Sequence, residues 1–177
     1  MSTPDYIPWL ITPEVQRAMD VINRASPDHA ATLAGALLED LLKRLIGRST
    51  REVLTKDLQK LGNRQCLNWA YRLALIDKKL YDELGVLMTI RNYFAHGWRQ
   101  DVDFNTPHIE SLVKKLKSPG TMLRPGLDTL PNIEAIRAEL HSSNESWWAA
   151  SVGGVMADLR DLGDKAKRPD PPTPKDW

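Results

Sequence analysis

A chain of 177 residues, 42% hydrophobic and 27% charged, is long enough for one well-buried core and lacks the bias of a disordered protein. Its formal net charge of +1 gives no global basic field to draw in nucleic acid, which leaves only a local patch for that purpose. Cys66 is alone, so an intrachain disulfide is excluded, and no Cys/His spacing has the pattern of a zinc site.

The opening MSTPDYIPWLITPE carries prolines and an aspartate where a signal peptide needs a basic start and an unbroken apolar run. No stretch approaches the roughly 20 apolar residues that span a bilayer. The expectation is a cytoplasmic protein with no membrane, metal or cofactor in its chemistry.

Thr12-Pro13 supplies a cap and a first-turn proline for the first helix, with Val15, Ala18, Met19 and Ile22 on one face. Ser26-Pro27-Asp28 repeats the device and opens a longer helix over about 27–46. There Leu33, Leu37, Leu38, Leu41, Leu42 and Leu45 form a broad apolar stripe, and Gly47 stands where a left-handed stop is wanted. Residues 54–62 read as a short turn. A third helix is expected over 63–75, carrying Cys66, Leu67, Ala70, Tyr71 and Ala74, with Trp69 and Tyr71 both read as core.

Asp77 can cap the next helix, KKLYDELGVLMTIRNYFAH, whose Leu80, Leu84, Leu87, Met88 and Ile90 face inward and which Gly97 ends. Thr106-Pro107 caps HIESLVKKLK, stopped by Ser118-Pro119-Gly120, with Lys114, Lys115 and Lys117 on a solvated face. Residues 119–131 hold three prolines and two glycines and read as a connection. Helices are expected near 132–141 and 145–164, with one of Trp147 and Trp148 packed inside and the other partly exposed. The tail KRPDPPTPKDW is proline-rich and without apolar periodicity, so an extended segment is expected. No β-pattern, solenoid repeat or helix-turn-helix is evident. The class is all-α, a single-domain helical bundle of about six to eight helices without a sheet. Its expected divisions are a lead-in and first helix at 1–25, a core at 26–118, C-terminal helices at 119–165 and a tail at 166–177.

The chemistry gathers at RNYFAHG. Asn92 and His96 lie four apart, on one face of a helix, and Arg91 directly precedes Asn92. An arginine offers a planar fork of donors to an anionic oxygen, and a histidine titrates near neutrality. The set suits metal-independent cleavage of an RNA phosphodiester, with Arg91, Asn92 and His96 as candidate catalytic residues. Arg64 and Arg99 are candidates for part of a positive channel. A second reading needs no catalysis, because Arg and His in a last turn also favour the helix dipole. His29, His108 and His141 are scattered without metal-ligand spacing. Ser26, Ser49 and Ser111 lack the context of a nucleophile, and no phosphate-binding glycine loop exists.

Arg-Asn-x-x-x-His at a helix end resembles the signature of the HEPN superfamily, helical bundles that include metal-independent ribonucleases. In those the Arg and His act across a symmetric dimer. A longer resemblance runs through AATLAGALLEDLLKRLI, LGNRQCLNWAYRLALIDKKLYDEL, IRNYFAHGW and VDFNTPHIESLVKKL. Over roughly 28–117 this order is similar to the mannitol operon repressor family. Its landmarks here are the acidic pair Glu39-Asp40, the step Ala74-Leu75-Ile76-Asp77, the RN-x-FAH segment and Phe104-Asn105-Thr106-Pro107-His108-Ile109. Ala74 stands where the family pattern has glycine, and Gly97-Trp98-Arg99 is short of that pattern.

The resemblance implies an all-helical, HEPN-like regulator that represses transcription through protein partners, possible members of a sugar-uptake regulatory system, with direct DNA binding doubtful. It also implies a homodimer or other homo-oligomer. The alternative is the HEPN-type ribonuclease or toxin component acting on RNA through Arg91 and His96. A third reading makes the motif a folding element of a docking bundle.

Overall fold

The computed structural model describes residues 13–50, 57–96, 102–117, 138 and 142–166. Prolines start three of its helices where fixed φ costs nothing: α1 (Pro13–Arg24), α2 (Pro27–Ser49) and α5 (Pro107–Val113). The others are α3 (Asn63–Arg72), α4 (Lys78–His96) and α6 (Asn144–Lys165). Among the described residues there are six helices and no strand, an all-α single-domain bundle. One turn at 57–60 also carries Leu58 into the core. The expected helix near 132–141, the connection and the tail lie outside the described residues, apart from residue 138, which is helical.

Two helices form the centre. α2 packs against α1, α3, α4 and α6, and α6 packs against α1, α2, α4 and α5. Small residues permit this close approach: Ala30, Ala31, Ala34 and Gly35 are buried on α2, and Ala150, Ser151, Gly153 and Gly154 on α6. The leucine stripe expected on α2 is therefore corrected. Leu38, Leu42 and Leu45 are buried as expected, but Leu37 and Leu41 are half-buried and Leu33 is 38% exposed.

Gly47 is not the stop of α2. The helix runs through it to Ser49, and Thr50 takes an extended conformation. Ser49 and Thr50 hydroxyls donate to the carbonyls of Leu45 and Ile46 (2.9 and 2.8 Å), which satisfies acceptors that a helix end leaves open. Arg48 then reaches α6, donating to Gly163 O and to Asp164, both at 2.8 Å.

α3 ends at Arg72, short of the expected 75. Ala74 N–H donates to Tyr71 O (3.0 Å) and Leu75 N–H to Ala70 O (2.9 Å), the paired bonds of a left-handed helix stop. Ala74 accordingly sits at φ 54, in the region that favours glycine. Alanine meets that backbone need at a cost of about 1–2 kcal/mol.

α5 is also shorter than expected. It closes at Val113, and Lys115 and Leu116 donate three residues back to Leu112 and Val113, tightening the exit. The tightened turn buries Leu116 and delivers Lys117 N–H to the Glu83 carboxylate.

Candidate functional site

Asp77 caps α4 as expected, accepting from Leu80 N–H at 2.8 Å. Leu80, Leu84, Leu87, Met88, Ile90 and Phe94 are buried along one arc of that helix. At its far end Phe94 packs against Phe104 (ring centroids 5.0 Å), and Phe104 against the buried Trp148 (4.8 Å). Asn144 donates to Phe104 O, and Trp147 Nε1 to Leu116 O, both at 3.1 Å. Two sequence landmarks, the RN-x-FAH segment and the Phe104-Asn105-Thr106-Pro107 step, thus meet in one aromatic stack on α6. Of the tandem tryptophans, Trp148 is buried and Trp147 half-buried, as expected.

This stack fixes where the candidate residues point. The Arg91 stem crosses α2 at Gly35, where an added Cβ would stand 2.5 Å from Arg91 Cγ. Only a glycine leaves room for it. Arg91 Nη1 donates to Asn92 Oδ1 at 3.0 Å, while Nε is buried with no hydrogen-bond partner among the described residues. Asn92 and His96 are exposed on the solvent side of α4. No described hydrogen bond joins His96 to Arg91 or Asn92, so the structure brings two of the three together. Gly97, Trp98 and Arg99 lie outside the described residues.

Beside the motif, Tyr93 is half-buried and stacks on His108 of α5, ring centroids 4.8 Å apart. His108 was legible only as a scattered histidine, since no helical period links it to α4. The arrangement can present an imidazole, an amide and part of a guanidinium to a ligand. Among the described residues it does not preassemble a base with an anion hole.

Arg64 lies on the same side of α4, its guanidinium 6.0 Å from the Tyr81 ring centroid and its Nη1 3.6 Å from where a Cβ on Gly85 would be. Glu83 gave no signal in the sequence beyond its place in a helix. It is 4% exposed, and its oxygens accept Lys117 N–H at 2.8 and 3.1 Å. The acidic pair of α2 is used within its own helix, Glu39 with Lys43 at 2.5 Å and Asp40 with Arg44 at 2.8 Å. The bond to Glu39 holds the Lys43 ammonium above its ordinary value.

The reading of Trp69 and Tyr71 as core is corrected. They are 38% and 40% exposed, because Cys66, Leu67 and Ala70 supply the buried face of α3. Lys114, Lys115 and Lys117 are exposed, as expected, with Lys114 paired to Glu110. The Ser49 and Ser111 hydroxyls donate to backbone carbonyls, and Ser26 bonds Asp28 and His29. His141 lies outside the described residues.

Two clefts open elsewhere. One of about 640 Å³ lies between α4 and α6, with Asp77, Glu83, Asp158 and Asp161 among its walls. The other, about 360 Å³, lies among α1, α2 and α6 and is crossed by the Arg160–Glu14 and Arg48–Asp164 pairs. Arg91, Asn92 and His96 line neither. Among the described residues no helix is long and apolar enough to cross a membrane, and no three His, Cys, Asp or Glu side chains group to hold a metal ion.

No family model, curated protein or solved structure matches the chain.

Proposed function

We propose that this chain is a regulator of the mannitol-repressor type, acting on transcription through a protein partner and not through a DNA-reading element of its own. The observation that carries the reading is the placement of Arg91. Its stem packs over Gly35 and its guanidinium is turned to the neighbouring Asn92, which suits a residue that organises the junction of α4 with α2. The order of landmarks over 28–117 supports the same reading. Cytoplasmic location and a homodimer or other homo-oligomer belong to the proposal.

The test is deletion of the gene in its host, with transcript profiling, beside a mobility-shift assay of the purified chain on the promoters that respond. The expected result is a changed operon whose promoter the purified chain does not shift. An unchanged transcriptome contradicts regulation, and a direct shift contradicts the need for a partner.

One observation favours a second reading, a metal-independent ribonuclease or toxin component. Asn92 and His96 are exposed together, with Arg64 on the same side of α4. On that reading Arg91 stabilises the charged phosphate, Asn92 positions it, and His96 moves the proton, with a two-fold partner completing the cleft. Equal degradation of total RNA by wild type and His96→Ala would remove it.

A further inference from the structure

We propose that the cleft among α1, α2 and α6 is a docking site for this chain's own residues 6–11, the run YIPWLI. The proposal stands apart from the regulator reading, since none of Arg91, Asn92 and His96 lines this cleft.

The cleft holds about 360 Å³ and its floor is apolar, built on the core residues Leu45, Met156 and Leu159. Its charged side chains are already matched to one another. Arg160–Glu14 and Arg48–Asp164 cross one end, and Arg44 bonds Asp40 within α2. Beyond those pairs Ala18, Leu37 and Leu41 are only half-buried. A groove whose charges satisfy each other asks for apolar contact, and a charged occupant would be desolvated there without a counterion.

The apolar surface continues past the cleft. α1 and α2 are joined by a two-residue turn and pack together, so they run antiparallel. Val21 follows Ala18 by three residues and Leu33 precedes Leu37 by four, which places both on the extension of the same seam. They are 57% and 38% exposed. Leu33, the one leucine of the α2 stripe left in solvent, thus lies in line with the two that are half covered.

Tether, length and composition name the occupant. Residues 1–12 lie outside the described residues, and the chain they belong to enters α1 at Pro13, beside the cleft residues Glu14 and Val15. From Arg48 at that end to Leu33, α2 runs about 22 Å at 1.5 Å per residue. Six extended residues cover about 20 Å. Residues 6–11 carry no charge, and Tyr6, Ile7, Trp9, Leu10 and Ile11 are large and mainly apolar. Pro8 among them favours an extended chain over a helix. A segment tethered at the mouth of its site meets it at a roughly millimolar effective concentration, far above what a free partner needs to match. The larger cleft suits this run less well. α1 contributes nothing to its described lining, and four carboxylates stand among its walls.

The test is fluorine NMR of the full chain labelled with 5-fluorotryptophan, the Trp9 line being assigned by its loss in Trp9→Phe. The expected Trp9 line shows little shift between H2O and D2O, as for a ring shielded from solvent, and does not change on dilution. In Leu37→Glu it moves to the solvent-exposed position, and in the remote control Leu73→Glu it stays. Leu73 is 40% exposed and lines neither cleft, and the line of the buried Trp148 reports whether each variant is folded. If Leu37→Glu loses the Trp148 line, Ala18→Leu, which fills the cleft with an apolar side chain, is expected to expose Trp9 in a folded protein. A solvent-exposed Trp9 in the wild type overturns the proposal, and so does a shielded Trp9 that a folded cleft variant leaves unmoved. Shielding that disappears on dilution also overturns it, because the segment then sits on a second copy of the chain.

Discussion

Glu83 and Arg91 stand two turns apart on the inner side of α4 and are held in opposite ways. Glu83 is buried at the wall of the cleft between α4 and α6, and both of its oxygens receive Lys117 N–H at the exit of α5. Its charge belongs to the architecture, because it ends α5 and fastens that helix to α4. Arg91 is held by shape instead. Its stem lies in the space left by Gly35, one end bonds Asn92, and Nε has no partner among the described residues. A buried charge that is met by donors is a structural member. A guanidinium held mainly by its methylenes leaves a buried N–H without an acceptor among the described residues.

Removing the acceptor tests the first half of that contrast most strongly. Glu83→Ala is expected to lower unfolding free energy by about 2–3 kcal/mol, since a charge-assisted bond is lost and a donor stranded. Chemical denaturation checks it, and Arg91→Met, which keeps the stem, is expected to cost less than about 1 kcal/mol. The second half is tested by a double-mutant cycle. Gly35→Ala is expected to cost about 1–2 kcal/mol in the wild type, where the new Cβ meets Arg91 Cγ. In an Arg91→Ala background the same change is expected to be neutral or to stabilise, because the clash is gone and alanine is the better helix former.

A smaller effect probes the corner that carries α4 into place. Ala74→Gly is expected to stabilise by about 1 kcal/mol, seen as a raised melting temperature, by relieving the left-handed strain at φ 54. The smallest concerns Cys66, where burial pushes the thiol above its ordinary value of 9.0. The folded thiol stays protonated while the unfolded one ionises, so this contribution is intact below pH 9.0 and is lost as pH climbs past it. Cys66→Ala is expected to flatten the alkaline limb of a stability profile.

What could be read in advance was local. Prolines and caps placed the starts of α1, α2, α4 and α5, because first-turn chemistry is written in two or three adjacent residues. Ends were harder. Gly47 resembles a stop, yet Arg48 is drawn on to α6, and the exit of α5 is set by a carboxylate 34 residues upstream in the chain. Periodicity marks an apolar face without saying which helix covers it, so it points Leu33, Trp69 and Tyr71 toward a core that Ala34, Cys66 and Ala70 fill. At the site, the motif was legible but its setting was not. Neither Gly35 under Arg91 nor His108 against Tyr93 follows from any local spacing.

The central claim is that Arg91 and its neighbours organise the fold and a regulator's surface without cleaving RNA. It is tested most directly by a time course of purified wild type, Arg91→Met and His96→Ala on end-labelled single-stranded RNA in the presence of chelator. The account predicts that no protein degrades the substrate beyond the buffer control. Cleavage by the wild type that is lost in a folded His96→Ala protein would contradict it.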